Sequence, residues 1–129
     1  EAGADFVQTQ CIYNMPKFIR YMEDAKKQGL HEKIKILAGV TPLKSAGMAK
    51  FMNRMVAGID IPDDVIKRIA DEPKEKQAAK GIEVCIEQIG EIKEMEGIAG
   101  VHVMAIEWEE KLAEIIGGAG LLPRPVVEQ

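Results

Sequence analysis

Residues 4–13 of this chain read ADFVQTQCIY, and the prediction of the fold starts from them. Their Phe-Val pair favours a short buried strand, and Thr9 and Gln10 fall where that strand should end. Asn14 is a good N-cap residue, so a helix is expected to follow directly. When helices connect parallel strands, ligands bind at the carboxyl ends of the strands. The Thr9–Gln10 pair is therefore the first candidate for a site, with a solvated loop position as the alternative for Gln10.

Outward from this strand, the hydrophobic pattern alternates between strand and helix periods. The second strand carries a nearly continuous apolar run, Ile-Leu-Ala-Gly-Val, which is typical of a parallel strand buried on both faces. Ser45 can cap the helix that follows it. After the first strand, the predicted elements are a helix over 15–28, a strand over 33–40, a helix over 45–58, a short helix over 62–72, a long helix over 74–95, a strand over 101–106, a helix over 111–116 stopped by Gly117 and Gly118, and an extended tail that ends in disorder.

This order of strands and helices predicts an α/β fold built from right-handed, parallel β/α units. Three strands are too few to close a barrel, although they would form about a third of one. The chain does not begin with Met and starts just before a strand. We therefore expect it to be a piece of a longer protein.

Composition limits the partners and the location of the chain. It has 129 residues, 47% of them hydrophobic and 29% charged, with a net charge of −4 and interleaved acids and bases. The lack of a basic stripe argues against a nucleic-acid surface, and no apolar run approaches the roughly 20 residues of a membrane span. Cys11 and Cys85 lie far apart and no signal peptide is visible, which predicts free thiols and a cytoplasmic location.

Familiar catalytic and metal-binding motifs are missing from the sequence. His31 and His102 lack ligand spacing with either cysteine, which argues against a zinc site. No Gly-x-Gly-x-x-Gly or Walker-type loop opens a helix. Glu107 lies closest to the end of the third strand and could serve a site, or it could equally cap the last helix.

Two apolar stripes on predicted helices are interpreted as core. The helix after Ser45 carries a Met-rich stripe that includes Phe51 and Met55, and such stripes usually fill gaps in a core. Cys85 falls within the apolar stripe of the long helix. This position indicates a small core side chain rather than a nucleophile.

Four segments, in order over almost the whole chain, resemble methylenetetrahydrofolate reductases. Residues 2–10 resemble the strand that carries the family's Thr-Gln pair, and residues 35–43 resemble a strand that ends in Gly-x-x-Pro. Residues 59–62 are similar to the family's Ile-Pro helix start. Residues 100–102 are similar to the strand near the family's C-terminus that carries a Gly and a His.

The resemblance implies a TIM-type (β/α)8 barrel that binds FAD and reduces a methylene-pterin, with this chain forming the last three β/α units. The family's flavin contacts, and the acid that activates its substrate, lie mostly in earlier strands. This chain would then supply the folate side of the site and no catalytic residue. Gln10 matches the glutamine that bonds the pterin and also contacts the nicotinamide cofactor. Phe51 resembles an aromatic residue that packs against the ligand.

The third strand departs from the family pattern. Members often carry an arginine there that reaches the folate tail, and this chain has Trp108 in its place. This pattern resembles a divergent branch, found in anaerobes, whose reductase works with other subunits. A partner subunit is therefore a candidate electron donor.

The resulting prediction is flavin-dependent reduction of methylenetetrahydrofolate, or of a related methylene-pterin, with Thr9, Gln10, Phe51 and Glu107 as substrate-binding residues. Two alternatives stay open: an inactive binding or assembly module, and a different barrel enzyme that shares only the scaffold. The isolated piece is expected to bind no flavin, to be inactive, and to form a homo-oligomer that covers its open sheet face.

Overall fold

A computed structural model describes residues 3–126 of the chain. At its centre lies a parallel sheet with strand order β1-β2-β3. The strands are β1 (Phe6–Cys11), β2 (Lys35–Val40) and β3 (Gly100–Val103). Because β2 has a neighbour on each side, it is the best buried of these strands, as its apolar run predicts. The prediction of an α/β fold with parallel β/α units is confirmed.

Helices connect the strands, and two of them begin at a residue whose side chain satisfies a free backbone N–H group. Asn14 Oδ1 accepts a hydrogen bond from the Lys17 N–H at 3.0 Å, and Ser45 Oγ accepts one from the Met48 N–H at 3.0 Å. Both predicted N-caps are confirmed. The helices are α1 (Met15–Lys27), α2 (Leu30–Lys33), α3 (Ala46–Met55), α4 (Asp63–Ala70), α5 (Lys74–Lys93) and, after a 3-10 turn at Glu109–Lys111, α6 (Leu112–Gly118).

The main core lies on one face of the sheet. There, Ile36, Ala38 and Val40 of β2 meet buried side chains of α1, α5 and α6. Alternate residues of a strand lie on opposite faces. On the other face Phe6 is 54% exposed, and Lys35, its partner in the register, is exposed as well. One covered face and one open face are compatible with a segment of a β/α barrel, in which the helices surround the strands.

A second apolar cluster lies beyond the carboxyl ends of the strands, where α3 and α4 pack on the segment after β2. Leu43 in that segment is fully buried, and α5 approaches its backbone closely. A Cβ atom added to Gly81 would lie 1.6 Å from the Leu43 carbonyl oxygen. Only glycine therefore fits where α5 crosses the loop that follows β2.

Three predictions about exposure and length are wrong. β1 alternates between exposed and half-buried residues, because β2 covers one of its edges and helices cover only one face of the sheet. β3 stops at Val103 rather than at residue 106, although the Met104 N–H still bonds the Val40 carbonyl at 2.8 Å. In α3, Phe51 and Met55 are 61% and 63% exposed, since a different face of the helix packs on the core.

The remaining boundaries differ by small shifts. The second strand begins at Lys35 because residues 30–33 form the single turn α2. Gly117 and Gly118 belong to α6 instead of stopping it, and the chain turns at Gly120, whose φ is 65°. Disorder predicted for the end of the tail concerns residues 127–129, which lie outside the described residues. Within residues 3–126, no helix is both long enough and apolar enough to cross a membrane.

Candidate functional site

The Thr9–Gln10 pair lies in a β-bulge near the end of β1. Gln8 pairs with Leu37, but the next pair along the strands is Cys11 with Gly39, so β1 advances three residues while β2 advances two. A bulge of this kind re-aims side chains and is common beside active sites. The strand end chosen from the sequence is therefore also the irregular part of the sheet.

The hydroxyl group of Thr9 fixes the backbone of the bulge. Thr9 Oγ1 accepts a hydrogen bond from the Gly39 N–H at 2.9 Å and donates one to the Gln10 carbonyl at 2.9 Å. The two strands approach closely here, because a Cβ atom on Gly39 would lie 2.6 Å from the Thr9 carbonyl oxygen. Thr9 thus replaces a regular ladder bond with a bond from its own side chain.

The amide of Gln10 is exposed but held by the backbone on both sides. Nε2 donates to the Ala57 carbonyl at 3.2 Å, and Oε1 accepts from the Cys11 N–H at 2.9 Å. An amide carries two donors and two acceptor lone pairs. With one of each engaged in the described part of the chain, one donor and one lone pair remain available to a ligand.

A cleft of about 410 Å³ runs along β1 and the start of α1 and includes Gln10. Three polar side chains that line it are joined by hydrogen bonds: Asp60 Oδ2 accepts from Asn14 Nδ2 at 3.1 Å and from Lys17 Nζ at 3.3 Å. The ring of Tyr21 also lines the cleft. Sequence reasoning missed Lys17, Tyr21 and Asp60, although the predicted Asn14 cap places the first turns of α1 beside the strand end.

The ends of β2 and β3 meet through Lys44. Its Nζ atom donates to the Glu107 carbonyl at 3.0 Å and lies 5.6 Å from the centre of the Trp108 ring, within reach of a cation–π interaction. Glu107 has a left-handed φ of 51°, and its N–H donates to Glu109 Oε1 at 3.2 Å. The exposed Glu107 side chain therefore projects from a backbone that is held by Lys44, in the segment after β2, and by the turn at Glu109.

The four residues predicted to bind substrate are not all brought together. Thr9 and Gln10 are adjacent in the bulge and both line the cleft. Glu107 belongs with Lys44 at the ends of the next two strands. Phe51 lies exposed on α3 and, within the described residues, lines neither of the clefts found near β1 and α1.

Two groups that could act as nucleophiles or bases elsewhere are instead kept neutral by burial. Burial raises the pKa of the Tyr13 hydroxyl, which also donates a hydrogen bond to the Thr41 carbonyl at 2.9 Å. Burial raises the pKa of the Cys85 thiol to about 12. Cys85 is 1% exposed within the main core, which confirms the interpretation of this residue as a core side chain.

The described residues at the strand ends do not by themselves fit FAD. Phosphate groups are bound by uncommitted cations or by glycine-rich turns at helix starts. Here Lys17 is paired with Asp60 at 3.3 Å and Lys44 bonds the Glu107 carbonyl, and no Gly-x-Gly-x-x-Gly turn opens a helix. No reaction step through a flavin follows from these residues.

Parallel β/α units with polar side chains at the carboxyl ends of the strands define the class: an α/β protein built from parallel β/α units. The model of the family described as methylenetetrahydrofolate reductase matches residues 1–120. The chain therefore belongs to the methylenetetrahydrofolate reductase family, and the resemblance seen in the sequence is confirmed.

Curated relatives are similar over almost the whole chain at low identity. Methylenetetrahydrofolate reductase 2 of Schizosaccharomyces pombe is 28% identical over 96% of this chain and 20% of its own length. Methylenetetrahydrofolate reductase 1 of the same yeast is 27% identical over 99% of this chain and 21% of its own length. A probable methylenetetrahydrofolate reductase (NADPH) of Caenorhabditis elegans is 23% identical over 94% of this chain and 18% of its own length. The chain thus spans about one fifth of the length of these relatives.

Proposed function

We propose that this chain is part of an enzyme that reduces methylenetetrahydrofolate, or a related methylene-pterin, to the methyl form. The observation that carries the proposal is the exposed Gln10 amide, which a bulge holds at the end of β1 with one donor and one acceptor available. A pterin ring edge carries groups of both kinds and matches such an amide. Membership of the reductase family supports this substrate class.

Within this proposal the chain supplies the folate side of the site. Gln10 bonds the pterin, and Thr9 belongs to the same strand end. Phe51 is exposed on α3, where an apolar ring is available to a ligand or to another part of the enzyme. Glu107 projects from the end of β3 beside Lys44. The chain supplies no catalytic residue of its own.

FAD would be the redox cofactor of the whole protein, bound by residues outside this chain. The flavin would carry out the redox chemistry, while these residues bind and orient the pterin. For the electron donor, the name of the Caenorhabditis elegans relative specifies NADPH, whereas Trp108 in place of the family arginine favours a partner subunit. Anaerobic reduction of the flavin by NADPH alone separates these two donors.

Location and assembly follow from two further observations. Cys11 and Cys85 are both free thiols, which supports a reducing compartment such as the cytoplasm. Phe6 and other residues of the open sheet face are exposed, and exposed apolar faces and strand edges favour association. We propose that, in the whole protein, this chain makes up the last three units of a (β/α)8 barrel. When isolated, it binds no flavin and self-associates through the open sheet face.

The replacement Gln10→Ala tests the folate-side assignment in the whole protein. Loss of the amide removes the hydrogen bonds that orient the pterin, so we expect at least about a tenfold slower reaction of reduced flavin with methylenetetrahydrofolate, or about 1.4 kcal/mol. The flavin content and the fold should be kept. Stopped-flow oxidation of prereduced flavin measures the effect.

The matched control is Gln28→Ala, which removes an exposed amide at the end of α1. It should leave the oxidation rate unchanged. Wild-type rates and wild-type pterin affinity in Gln10→Ala would show that Gln10 is a scaffold residue. Retention of the fold without flavin or turnover in the whole protein would instead favour the inactive assembly module.

A further inference from the structure

We infer that Thr9 is a positioning residue, whose hydroxyl holds the β-bulge in the conformation that presents the Gln10 amide to substrate. The inference rests on the proposed function, because it assigns Thr9 a part in the same folate-side site. It also separates the two members of the Thr-Gln pair: Gln10 contacts the ligand, and Thr9 acts through Gln10.

The hydrogen bonds of Thr9 show that its hydroxyl is committed to the protein. A threonine hydroxyl has one proton and two acceptor lone pairs. The proton is donated to the Gln10 carbonyl at 2.9 Å, and one lone pair accepts from the Gly39 N–H at 2.9 Å. Both partners are backbone groups of the bulge itself. The hydroxyl is therefore engaged in fixing the peptide that carries the Gln10 side chain.

Gln10 is consequently held at three points. Its carbonyl accepts from Thr9, its side-chain Oε1 accepts from the Cys11 N–H at 2.9 Å, and its Nε2 donates to the Ala57 carbonyl at 3.2 Å. Of these, the Thr9 bond acts on the main chain and ties Gln10 to β2 through Gly39. A binding group held on a rigid element keeps its geometry to within a fraction of an ångström.

The extra residue of β1 also determines which side chains enter the core. Beyond the bulge, Cys11 pairs with Gly39, and the Ile12 N–H bonds the Gly39 carbonyl at 2.9 Å. Ile12 is 7% exposed and lies in the same cluster as Val40. Without the bulge, the register would shift by one residue and turn Ile12 away from this cluster. Core packing therefore retains the register, and loss of the Thr9 hydroxyl should disturb only the bulged peptide.

A double-mutant cycle in the whole protein tests the inference. Thr9→Val keeps the shape of the side chain but removes its hydrogen bonds, whereas Thr9→Ser keeps the hydroxyl. Gln10→Ala removes the side-chain amide that Thr9 is inferred to position. We expect Thr9→Val to slow the oxidation of reduced flavin by methylenetetrahydrofolate by about five- to tenfold, and Thr9→Ser to stay within about twofold of wild type. In the Gln10→Ala background, Thr9→Val should add less than about a twofold effect, because residues that act as a unit are not additive.

A second measurement reports on the bulge without activity. Hydrogen exchange of the peptide that contains Gly39 should speed up in Thr9→Val and stay slow in Thr9→Ser, because the Gly39 N–H loses its acceptor only in the first. Gln77→Ala is the control for general destabilisation. Gln77 lies on α5, and its replacement removes bonds to the Ala46 N–H of α3 and to the Glu72 carbonyl just before α5, so it should leave Gly39 exchange unchanged.

Each outcome distinguishes the inference from the proposed function. If Thr9→Val slows the reaction equally with and without Gln10, Thr9 contacts substrate directly and the positioning role is wrong. If Gln10→Ala slows the reaction but Thr9→Val changes neither rate nor Gly39 exchange, the positioning role alone is wrong. If Gln10→Ala has no effect on the reaction, the folate-side assignment fails and the inference fails with it.

Discussion

Replacing Gly81 by alanine should strongly destabilise the protein, while the same replacement at Gly90 should stabilise it. Both glycines lie inside α5. A Cβ atom on Gly81 would lie 1.6 Å from the Leu43 carbonyl oxygen and 2.7 Å from its carbonyl carbon. At Gly90 the added Cβ would meet no atom within 4 Å. The two substitutions therefore share their chemistry and helix, and differ only in the space around them.

The size of the effect follows from two opposing terms. Alanine stabilises a helix interior over glycine by about 0.8–1.0 kcal/mol at either position. At Gly81 the obstacle is backbone, so α5 and the Leu43 segment must separate by more than about 1.5 Å to restore a normal contact. Overpacking costs about 1–3 kcal/mol, and a rigid obstacle favours the upper end. We expect a net loss of about 2 kcal/mol in Gly81→Ala and a gain of up to about 1 kcal/mol in Gly90→Ala.

Urea unfolding followed by circular dichroism, at matched protein concentrations, measures both free energies of unfolding. With an unfolding entropy of about 2.1 cal/mol/K per residue, 1 kcal/mol corresponds to about 4 °C in Tm for a chain of 129 residues. The two variants should thus differ by about 12 °C. If Gly81→Ala has the same Tm as wild type while Gly90→Ala is stabilised as expected, the close crossing of α5 over Leu43 is not a feature of the folded protein.

Two further predictions concern the isolated chain and alkaline pH. Purified residues 1–129 should lack flavin absorbance and should scatter light as an oligomer; bound yellow flavin or a clean monomer would contradict the proposal. Burial raises the pKa of Cys85 to about 12 from an ordinary value of 9.0, so its stabilising contribution is complete below pH 9 and is lost as the pH rises toward 12. The free energy of unfolding, measured with urea, should therefore fall between pH 8.5 and 10 more steeply in wild type than in Cys85→Ala. If it falls equally steeply with pH in both proteins, the thiol of Cys85 ionises freely in the folded state.

Local chemistry made part of the fold predictable from sequence. Asn14 and Ser45 cap their helices through atoms only three residues away, so short-range spacing was sufficient to predict them. The apolar run of β2 predicted its burial, since a central parallel strand has little contact with water. The position of Gln10 at a strand end followed in the same way, from the end of a strand pattern before a capped helix.

Features that depend on distant partners were missed. The bulge is a mismatch in register between β1 and β2, and neither strand shows it alone. The exposure of Phe51 depends on which face of α3 meets the core, and the helical stripe was broad enough to include both choices. The link from Lys44 to Glu107 joins residues that the linear sequence separates by three helices. The roles assigned to Thr9, Gln10, Phe51 and Glu107 remain predictions.

The long crossover between β2 and β3 has a consequence for the order in which the protein can fold. Phe6 pairs with Lys35, whereas Leu37 pairs with Gly100, more than twice as far along the chain. Contacts between distant residues close larger loops and form more slowly. The unit β1-α1-β2, with the Thr9–Gln10 bulge, is therefore expected to assemble early, and β3 to dock late. The side of the site that carries Glu107 would then be the last part to become ordered during folding.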